Sequence, residues 1–216
     1  MSTLFESQAP RPLADRLRPQ SIAEVVGQDH LLGDDGPLGR MLGAGRLTSL
    51  ILWGPPGTGK TTIARLLAMH TDMDFSPLSA VFSGVADLRK VFEQARRKRE
   101  MGQGTLLFID EIHRFNRSQQ DGFLPYVEDG TVILVGATTE NPSFEINAAL
   151  LSRTQVMVLN RLSEQALSSL LARAEAEMGQ ALPLNDDARM ALCAMADGDG
   201  RYLLNMTEEI LTLPGD

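Results

Sequence analysis

The chain has 216 residues, of which 43% are hydrophobic and 22% are charged, and its formal net charge is −8. This mixture is typical of a globular protein with one buried domain, or one domain and a small satellite, and it excludes an intrinsically disordered chain. The negative net charge gives no general support for nucleic-acid binding, so any such contact would come from a local basic patch.

No apolar run approaches the roughly 20 residues that a membrane span needs, and the first residues lack the apolar core of a secretion signal. With one cysteine, Cys193, an internal disulfide is impossible. A lack of disulfides is typical of proteins in a reducing cytosol. We therefore expect a cytoplasmic protein with no membrane-spanning segment.

Short apolar runs alternate with helical patterns along most of the chain. The first residues, 1–15, are polar and contain prolines, and they are predicted to form a flexible tail. The apolar runs cover residues 50–53, 75–80, 106–110, 132–137 and 156–159, and the helical patterns between them cover about 61–69, 85–99 and 118–127. Short, continuous apolar runs are typical of strands buried on both faces, and their alternation with helices indicates a parallel sheet. We predict an α/β core with a parallel five-stranded sheet over residues 16–160.

The pattern changes after Asn160. Residues 163–178, 186–196 and 201–211 have the spacing of three helices, with no strand between them. Asn185 is a candidate N-cap of the second helix, because an Asn side chain can accept a hydrogen bond from the first free backbone N–H groups. We therefore predict that residues 161–216 form a separate small helical unit.

Residues 54–61, GPPGTGKT, match the phosphate-binding pattern G-x-x-x-x-G-K-[ST] in full, between a predicted strand and a predicted helix. Glycines at this spacing let backbone N–H groups turn toward an anion at the positive end of the helix. Lys60 adds a charge for the outer phosphates, and the Thr61 hydroxyl is a candidate Mg²⁺ ligand. A glycine-rich turn with an incidental lysine is the alternative. The predicted nucleotide-binding residues here are Gly54, Pro55, Pro56, Gly57, Thr58, Gly59, Lys60, Thr61 and Thr62.

An acidic pair follows the apolar run at 106–110. Asp110 ends that predicted strand, at the edge of the sheet where α/β proteins bind ligands, and is a candidate Mg²⁺ ligand. Glu111 is a candidate to activate the water that attacks the γ-phosphate. The alternative is that Glu111 only caps the next helix. A kinase would not need a water-activating glutamate, and the guanine signature N-K-x-D is absent, so the sequence favours hydrolysis of ATP to ADP.

With these motifs the chain resembles the AAA+ ATPases, whose P-loop α/β core is followed by a helical lid. RLRP (16–19) and GQDHLLG (27–33) are similar to the family's adenine-contacting segment. The resemblance implies that the base pocket is lined by Leu17, Arg18, Pro19, Val26 and Gly27.

The same resemblance implies two sensors of the γ-phosphate. GATTEN (136–141) is similar to the strand that carries sensor 1, which falls on Thr139, with Thr138 as the alternative. GDGR (198–201) is similar to sensor 2, which implies that Arg201 links the lid to the γ-phosphate. The alternative for Arg201 is an exposed arginine at the start of a helix.

Ser152-Arg153-Thr154 is similar to the Ser-Arg-Cys motif of clamp-loader subunits, with Thr in place of Cys. The resemblance implies that Arg153 is an arginine finger, which stabilises the charge on the γ-phosphate of a neighbouring subunit. The alternative is that Arg153 forms a salt bridge within its own chain at the end of a helix.

The resemblance is closest to the family of bacterial replication-associated recombination protein A and the eukaryotic Werner-helicase-interacting ATPases. The resemblance rests on SAVFSGVADLRKVFEQAR (79–96) and on the segment that begins LLFIDEIHRFNRSQQDGFLPYVEDG at residue 106. The similarity as a whole covers about residues 13–216. It implies a DNA-dependent ATPase acting at stalled or gapped replication forks, in recombination and replication restart. It also implies a homotetramer near the nucleoid, with single-strand-binding protein as a partner.

In that family the lid continues and a C-terminal oligomerisation domain follows, and we expect this chain to lack both. The chain by itself is therefore expected to bind nucleotide but to hydrolyse it weakly.

A rival interpretation rests on Phe82. The segment Val81-Phe82-Ser83-Gly84 follows the second predicted strand, where protein-unfolding AAA+ rings carry an aromatic pore loop. If Phe82 gripped polypeptide, the chain would belong to a protein-remodelling unfoldase. The clamp-loader-like Ser-Arg-Thr motif and the long similarity above favour DNA. A third interpretation is a nucleotide-bound switch with negligible turnover.

Overall fold

The computed structural model describes residues 11–212 and contains a parallel sheet of five strands. The strands are β1 Leu50–Trp53, β2 Asp74–Ser79, β3 Thr105–Asp110, β4 Ile133–Thr138 and β5 Gln155–Val158. Their order in the sheet is β2-β3-β4-β1-β5, and each neighbouring pair is parallel. The predicted α/β fold with a five-stranded parallel sheet is confirmed.

The helices connect and flank these strands. Within residues 11–212 they are α1 Leu13–Arg16, α2 Asp29–Leu32, α3 Pro37–Gly43, α4 Lys60–His70, α5 Val85–Glu100, α6 Arg117–Asp121, α7 Leu124–Glu128, α8 Pro142–Glu145, α9 Ala148–Leu151, α10 Glu164–Met178, α11 Asp186–Ala196 and α12 Gly200–Thr212. Short 3-10 turns occur at Ile22–Glu24 and Ile112–Arg114. None of these helices is long and apolar enough to cross a membrane.

Both faces of the sheet are covered. Alternate residues of a strand point to opposite faces, so Leu50 and Leu52 of β1 join one buried cluster and Ile51 joins the other. The first cluster packs against α3 and α4, and the second against α5 and the helices that follow β3. Burial on both faces explains why the central strands β1, β3 and β4 are largely apolar, whereas the edge strands β2 and β5 are partly exposed and contain polar residues.

A third buried cluster joins α10, α11 and α12. Asn185 is confirmed as the N-cap of α11, because its side chain accepts a hydrogen bond from the N–H of Ala188 at 2.8 Å. Leu13 of α1 is fully buried in this cluster. The predicted flexible tail over residues 1–15 is therefore wrong for Leu13–Asp15, which lie in α1, and residues 1–10 lie outside the described part of the chain.

One predicted helix is wrong in its extent. The pattern at 118–127 predicted one helix, but the structure has α6 and α7 with a break at Gly122 and Phe123. Phe123 is fully buried, and Pro125 has no N–H to continue the hydrogen-bond ladder of a longer helix. At this break the side chain of Phe123 packs into the second buried cluster, the one that contains Ile51.

Candidate nucleotide-binding site

A cleft opens at the carboxyl ends of β3 and β4, between the phosphate loop at 54–61, the N-terminal segment and α12. Most of the predicted site residues line it. They are Leu17, Arg18, Pro19, Val26, Pro56, Gly57, Thr58, Gly59, Lys60, Thr61, Thr62, Asp110, Glu111, Thr139 and Arg201. The cleft is therefore where the predicted phosphate, metal, base and sensor residues meet.

The phosphate loop has the backbone shape that its glycines permit. Gly57 and Gly59 have φ angles of +67° and +98°, which favour glycine over residues with a side chain. Helix α4 begins at Lys60 directly after Gly59, so its positive N-terminal end faces the cleft. Thr58 Oγ1 donates to the carbonyl of Pro55 at 2.9 Å and braces the loop. This arrangement suits the binding of an anion.

Lys60 is held inside the loop. Its Nζ donates to the carbonyl oxygens of Gly54 and Pro55, both at 2.7 Å, and the residue is buried. Burial lowers the pKa of Lys60, and the nearby carboxylates of Glu111 and Asp110 act in the opposite direction. Gly54 and Pro55 thus do not line the cleft, but their carbonyl oxygens hold the ammonium group of Lys60 in place.

The unit formed by α10, α11 and α12, which we call the lid, contacts the phosphate loop directly. The N–H of Gly200 donates to the carbonyl of Gly57 at 3.3 Å, and a Cβ on Gly57 would lie only 1.7 Å from Oδ1 of Asp199. Asp199 also accepts from the N–H of Tyr202 at 2.9 Å, at the start of α12. These contacts place Arg201 at the cleft, where its charge further lowers the pKa of Lys60, after the larger effect of burial.

The acidic pair lies opposite the phosphate loop. Asp110 ends β3, and Glu111 follows in the left-handed region with φ of +54°. Glu111 precedes the 3-10 turn, but its side chain makes no capping hydrogen bond there, which weakens the alternative role as a cap. Its Oε2 lies 3.4 Å from Nε2 of His113. The carboxylate therefore lies in the cleft with a histidine beside it.

The two candidates for sensor 1 point to different places. Thr139 lines the cleft. Thr138 is fully buried, and its Oγ1 lies 2.9 Å from Nδ1 of His113 and accepts from the N–H of Glu140 at 3.0 Å. The geometry favours Thr139 as the group that would face a phosphate.

The cleft is also lined by apolar residues that the sequence analysis did not identify. They are Ala14, Val25, Leu162, Leu170 and Leu204. Gly27 does not line the cleft but packs against Leu162, where a Cβ on Gly27 would lie 2.9 Å from Cδ2. The φ of Gly27 is +74°, which favours glycine. The helical spacing of α10 and α12 predicts that such leucines are buried. It does not indicate which of them face a ligand.

Arg153 lies outside the cleft. Its guanidinium pairs with Oε1 of Glu128 at 2.5 Å, and its Nη1 donates to the carbonyl of Ala149 at 2.7 Å. The side chains of Arg153 and Glu128 are 38% and 49% exposed. The intrachain salt bridge considered as the alternative is therefore present, on a surface open to a neighbour.

The chain is similar to proteins of known families. The family profile described as ATPase family associated with various cellular activities (AAA) matches residues 50–162. Replication-associated recombination protein A of Escherichia coli (strain K12) is 48% identical over 213 residues, which cover 96% of this chain and 48% of that protein. ATPase WRNIP1 of Dictyostelium discoideum is 42% identical over 210 residues, which cover 95% of this chain and 24% of that protein.

A solved structure shares the fold. It is the Thermotoga maritima RuvB Holliday junction branch migration motor, with a TM-score of 0.74 and 28% identity, covering 89% of this chain and 64% of that one. The chain spans about half the length of the bacterial relative named above.

Proposed function

We propose that this chain, which belongs to the AAA family of ATPases, binds ATP in the cleft and supplies the groups that hydrolyse it to ADP. The observation that carries the proposal is the meeting of the phosphate loop, the acidic pair and Arg201 around one cleft. The experiment that tests it is ATP turnover by the full-length protein, with Lys60→Ala as the variant that should not bind ATP.

Each residue has a separate role in this proposal. The backbone N–H groups of the phosphate loop and the ammonium of Lys60 hold the phosphates. Glu111 accepts a proton from the water that attacks the γ-phosphate. Thr139 and Arg201 contact the γ-phosphate from the sheet and from the lid, so that nucleotide state is linked to the position of the lid.

Thr61 and Asp110 would hold Mg²⁺. Both line the cleft, and a hydroxyl and a carboxylate are oxygen ligands of the kind that Mg²⁺ prefers. When bound, Mg²⁺ neutralises charge on the β- and γ-phosphate oxygens.

Arg153 is proposed to act on the next subunit. Its side chain is partly exposed and is not among the residues that line its own cleft. In an oligomer of the full-length protein, proposed to be a homotetramer, Arg153 would reach the γ-phosphate of a neighbour as an arginine finger.

The wider function proposed is DNA-dependent ATP hydrolysis at stalled or gapped replication forks, in recombination and replication restart. The name of the Escherichia coli relative and the RuvB fold support this assignment. We place the full-length protein in the cytoplasm near the nucleoid, with single-strand-binding protein as a partner.

Phe82 keeps a second candidate function open. Its side chain is 88% exposed in the loop after β2, where it could contact a polypeptide in the manner of a pore loop. Arg114 and Arg117 are also exposed, in the segment after β3. Exposed arginines bind phosphates and an exposed aromatic ring such as that of Phe82 can stack on a base, so together these residues favour binding of a nucleic-acid strand.

The two functions are separated by what stimulates the ATPase of the full-length protein. We expect single-stranded, gapped or forked DNA to stimulate it, with the effect falling as salt is raised because phosphate contacts release counterions. Stimulation by an unfolded protein, with no response to any DNA, would favour the unfoldase. Negligible turnover under all conditions would favour a nucleotide-bound switch.

A further inference from the structure

We propose that His113 is a positioning residue for the carboxylate of Glu111, and that a hydrogen bond with Thr138 at the end of β4 holds the His113 ring beside that carboxylate. This inference rests on the proposed role of Glu111 as the group that activates water. It assigns a role to a histidine that neither binds the nucleotide nor lines the cleft.

The contacts of His113 carry the proposal. Its Nδ1 lies 2.9 Å from Oγ1 of Thr138, and its Nε2 lies 3.4 Å from Oε2 of Glu111. The imidazole side chain is only 8% exposed, whereas that of Glu111 is 32% exposed. One ring nitrogen thus faces the buried sheet and the other faces the group at the cleft.

Hydrogen-bond directions follow from the donors available. A neutral imidazole carries one N–H, so if Nε2–H faces the carboxylate of Glu111, Nδ1 must accept. Thr138 can supply that proton. Its Oγ1 accepts a hydrogen bond from the N–H of Glu140 at 3.0 Å, and its own hydroxyl hydrogen is left to donate to Nδ1. Its other acceptor, the carbonyl of Glu140, is farther away at 3.3 Å. In this arrangement Thr138 donates to Nδ1, and Nε2–H is left to face the carboxylate of Glu111, which lies at an ion-pair distance of 3.4 Å and not in a hydrogen bond.

The backbone gives a reason for such support. Glu111 has a φ of +54°, and a residue other than glycine keeps a left-handed conformation only where its surroundings hold it. The 3-10 turn after it is anchored by Ile112 and Phe115, which are buried in the core. His113 lies between these two anchors, so its ring has little freedom to leave Glu111.

These contacts also join the two sides of the site. Thr138 precedes Thr139, which lines the cleft at the proposed position of sensor 1. His113 therefore lies between the end of β4 and the carboxylate that is proposed to act on water.

Two substitutions of His113 test the proposal in the full-length protein. The amide of Gln can reach the position of Nε2 and keep a donor to Glu111, whereas the shorter amide of Asn reaches only the position of Nδ1. We expect His113→Asn to lower kcat by roughly 10–100-fold, as a small misplacement of a reacting group can. His113→Gln should retain most of the activity, and the affinity for ATP should be unchanged in both.

Thr138 supplies a second pair of variants. Thr138→Val removes the proton donated to Nδ1 and should lower kcat in the same way, whereas Thr138→Ser should retain activity. If His113→Asn does not fold, this pair decides the question. His70→Asn, an exposed histidine at the end of α4, is the matched control and should behave as wild type.

Glu111→Gln in the same assay separates this proposal from the proposed function. If Glu111→Gln is inactive while His113→Asn turns over normally, the positioning role is wrong and the function stands. Equal losses in the Asn and Gln variants would also overturn it, because a purely structural role does not depend on which nitrogen is replaced. If Glu111→Gln is itself fully active, the role of Glu111 in the proposed function is wrong.

Discussion

At the scale of single residues, binding and chemistry depend on different groups in the same cleft. Lys60 is buried and bonded within its loop, whereas the carboxylate of Glu111 is partly exposed beside the space that a phosphate would occupy. A change at Glu111 should therefore leave the phosphate loop intact and affect the reaction alone.

Glu111→Gln in the full-length protein should keep ATP binding and lose nearly all hydrolysis. The amide has the size of the carboxylate but cannot accept the proton from water, and general base catalysis contributes about 10²–10⁴-fold in rate. Equilibrium binding of a labelled ATP and single-turnover hydrolysis measure the two properties. Glu93→Gln, an exposed glutamate on α5, is the control. Normal turnover by Glu111→Gln would remove it from the mechanism.

The sequence predicted the parts of the site that are local in the chain. The phosphate loop and the acidic pair are continuous in the chain, so they can be recognised from the neighbouring residues alone. The bond between His113 and Thr138 joins residues 25 positions apart and depends on the pairing of β3 with β4. Such a contact could not be predicted without the register of the sheet.

At the scale of elements, the contact between α12 and the phosphate loop holds the start of α12 beside the cleft. It depends on the absence of a side chain at Gly57, where a Cβ would lie 1.7 Å from Asp199. Gly130 has a similar φ, +71°, but a Cβ there would meet nothing within 4 Å. The two glycines therefore separate backbone strain from effects at the cleft, where Gly57 belongs to the phosphate loop and also meets Asp199.

Gly57→Ala should weaken ATP binding by at least about tenfold, whereas Gly130→Ala should leave it unchanged. Both variants lose stability, by about 1–3 kcal/mol, because alanine disfavours a left-handed backbone. Thermal denaturation measures the common loss and calorimetric titration with ATP measures the difference. Equal ATP affinities in the two variants would mean that the contact with Asp199 does not matter for binding.

Glu175 braces two helices of the lid. It accepts from the N–H of Leu182 at 2.6 Å and pairs with Arg189 of α11. The hydrogen bond from Arg189 holds the pKa of Glu175 below its ordinary value of 4.5. The folded state thus keeps the carboxylate charged to lower pH than the unfolded state does, so this stabilisation is present above pH 4.5 and is lost as the pH falls through the folded pKa.

Glu175→Gln should lower the Tm at neutral pH by about 2–4 °C, the shift expected for about 1 kcal/mol in a chain of this size. The difference from wild type should shrink as the pH falls below the ordinary pKa of the carboxyl. Thermal denaturation at several pH values measures it, with Glu209→Gln, an exposed residue of α12, as the control. A difference that stays constant through the acid range would exclude a contribution from the charge.

The elements themselves were predictable where their pattern is long. The apolar runs identified the five strands, and the polar start of α11 identified its cap at Asn185. Helices α1 to α3 have only 4 to 7 residues, too few for a helical period to stand out. The split between α6 and α7 depends on the burial of Phe123, which is a property of the folded core.

At the scale of the whole molecule, Arg153 raises the question of assembly. Its ion pair with Glu128 is exposed, and exposed pairs contribute only up to about 1 kcal/mol. An arginine finger contributes about 10³–10⁵ in rate, so contact with a neighbour's γ-phosphate would outweigh the pair with Glu128. The intrachain contact is therefore compatible with a role between subunits.

Arg153→Ala should reduce the ATPase rate of the full-length protein by about 10³-fold or more and should barely change the rate of the present chain measured at dilute concentration. Glu128→Gln, which removes only the intrachain partner, should change the full-length rate by less than about fivefold, the factor that corresponds to 1 kcal/mol. Steady-state phosphate release measures all four rates. A large loss in the present chain would indicate that Arg153 acts within its own subunit, or that the chain assembles.

The most direct test of a site shared between subunits is to mix two inactive full-length variants. Glu111→Gln lacks its own base but keeps the finger, and Arg153→Ala keeps the base but lacks the finger. If Arg153 acts on a neighbour, mixed assemblies contain complete sites, and their ATPase rate should rise well above the sum of the separate rates. A rate that never exceeds that sum, in assemblies shown to exchange subunits, would contradict the account.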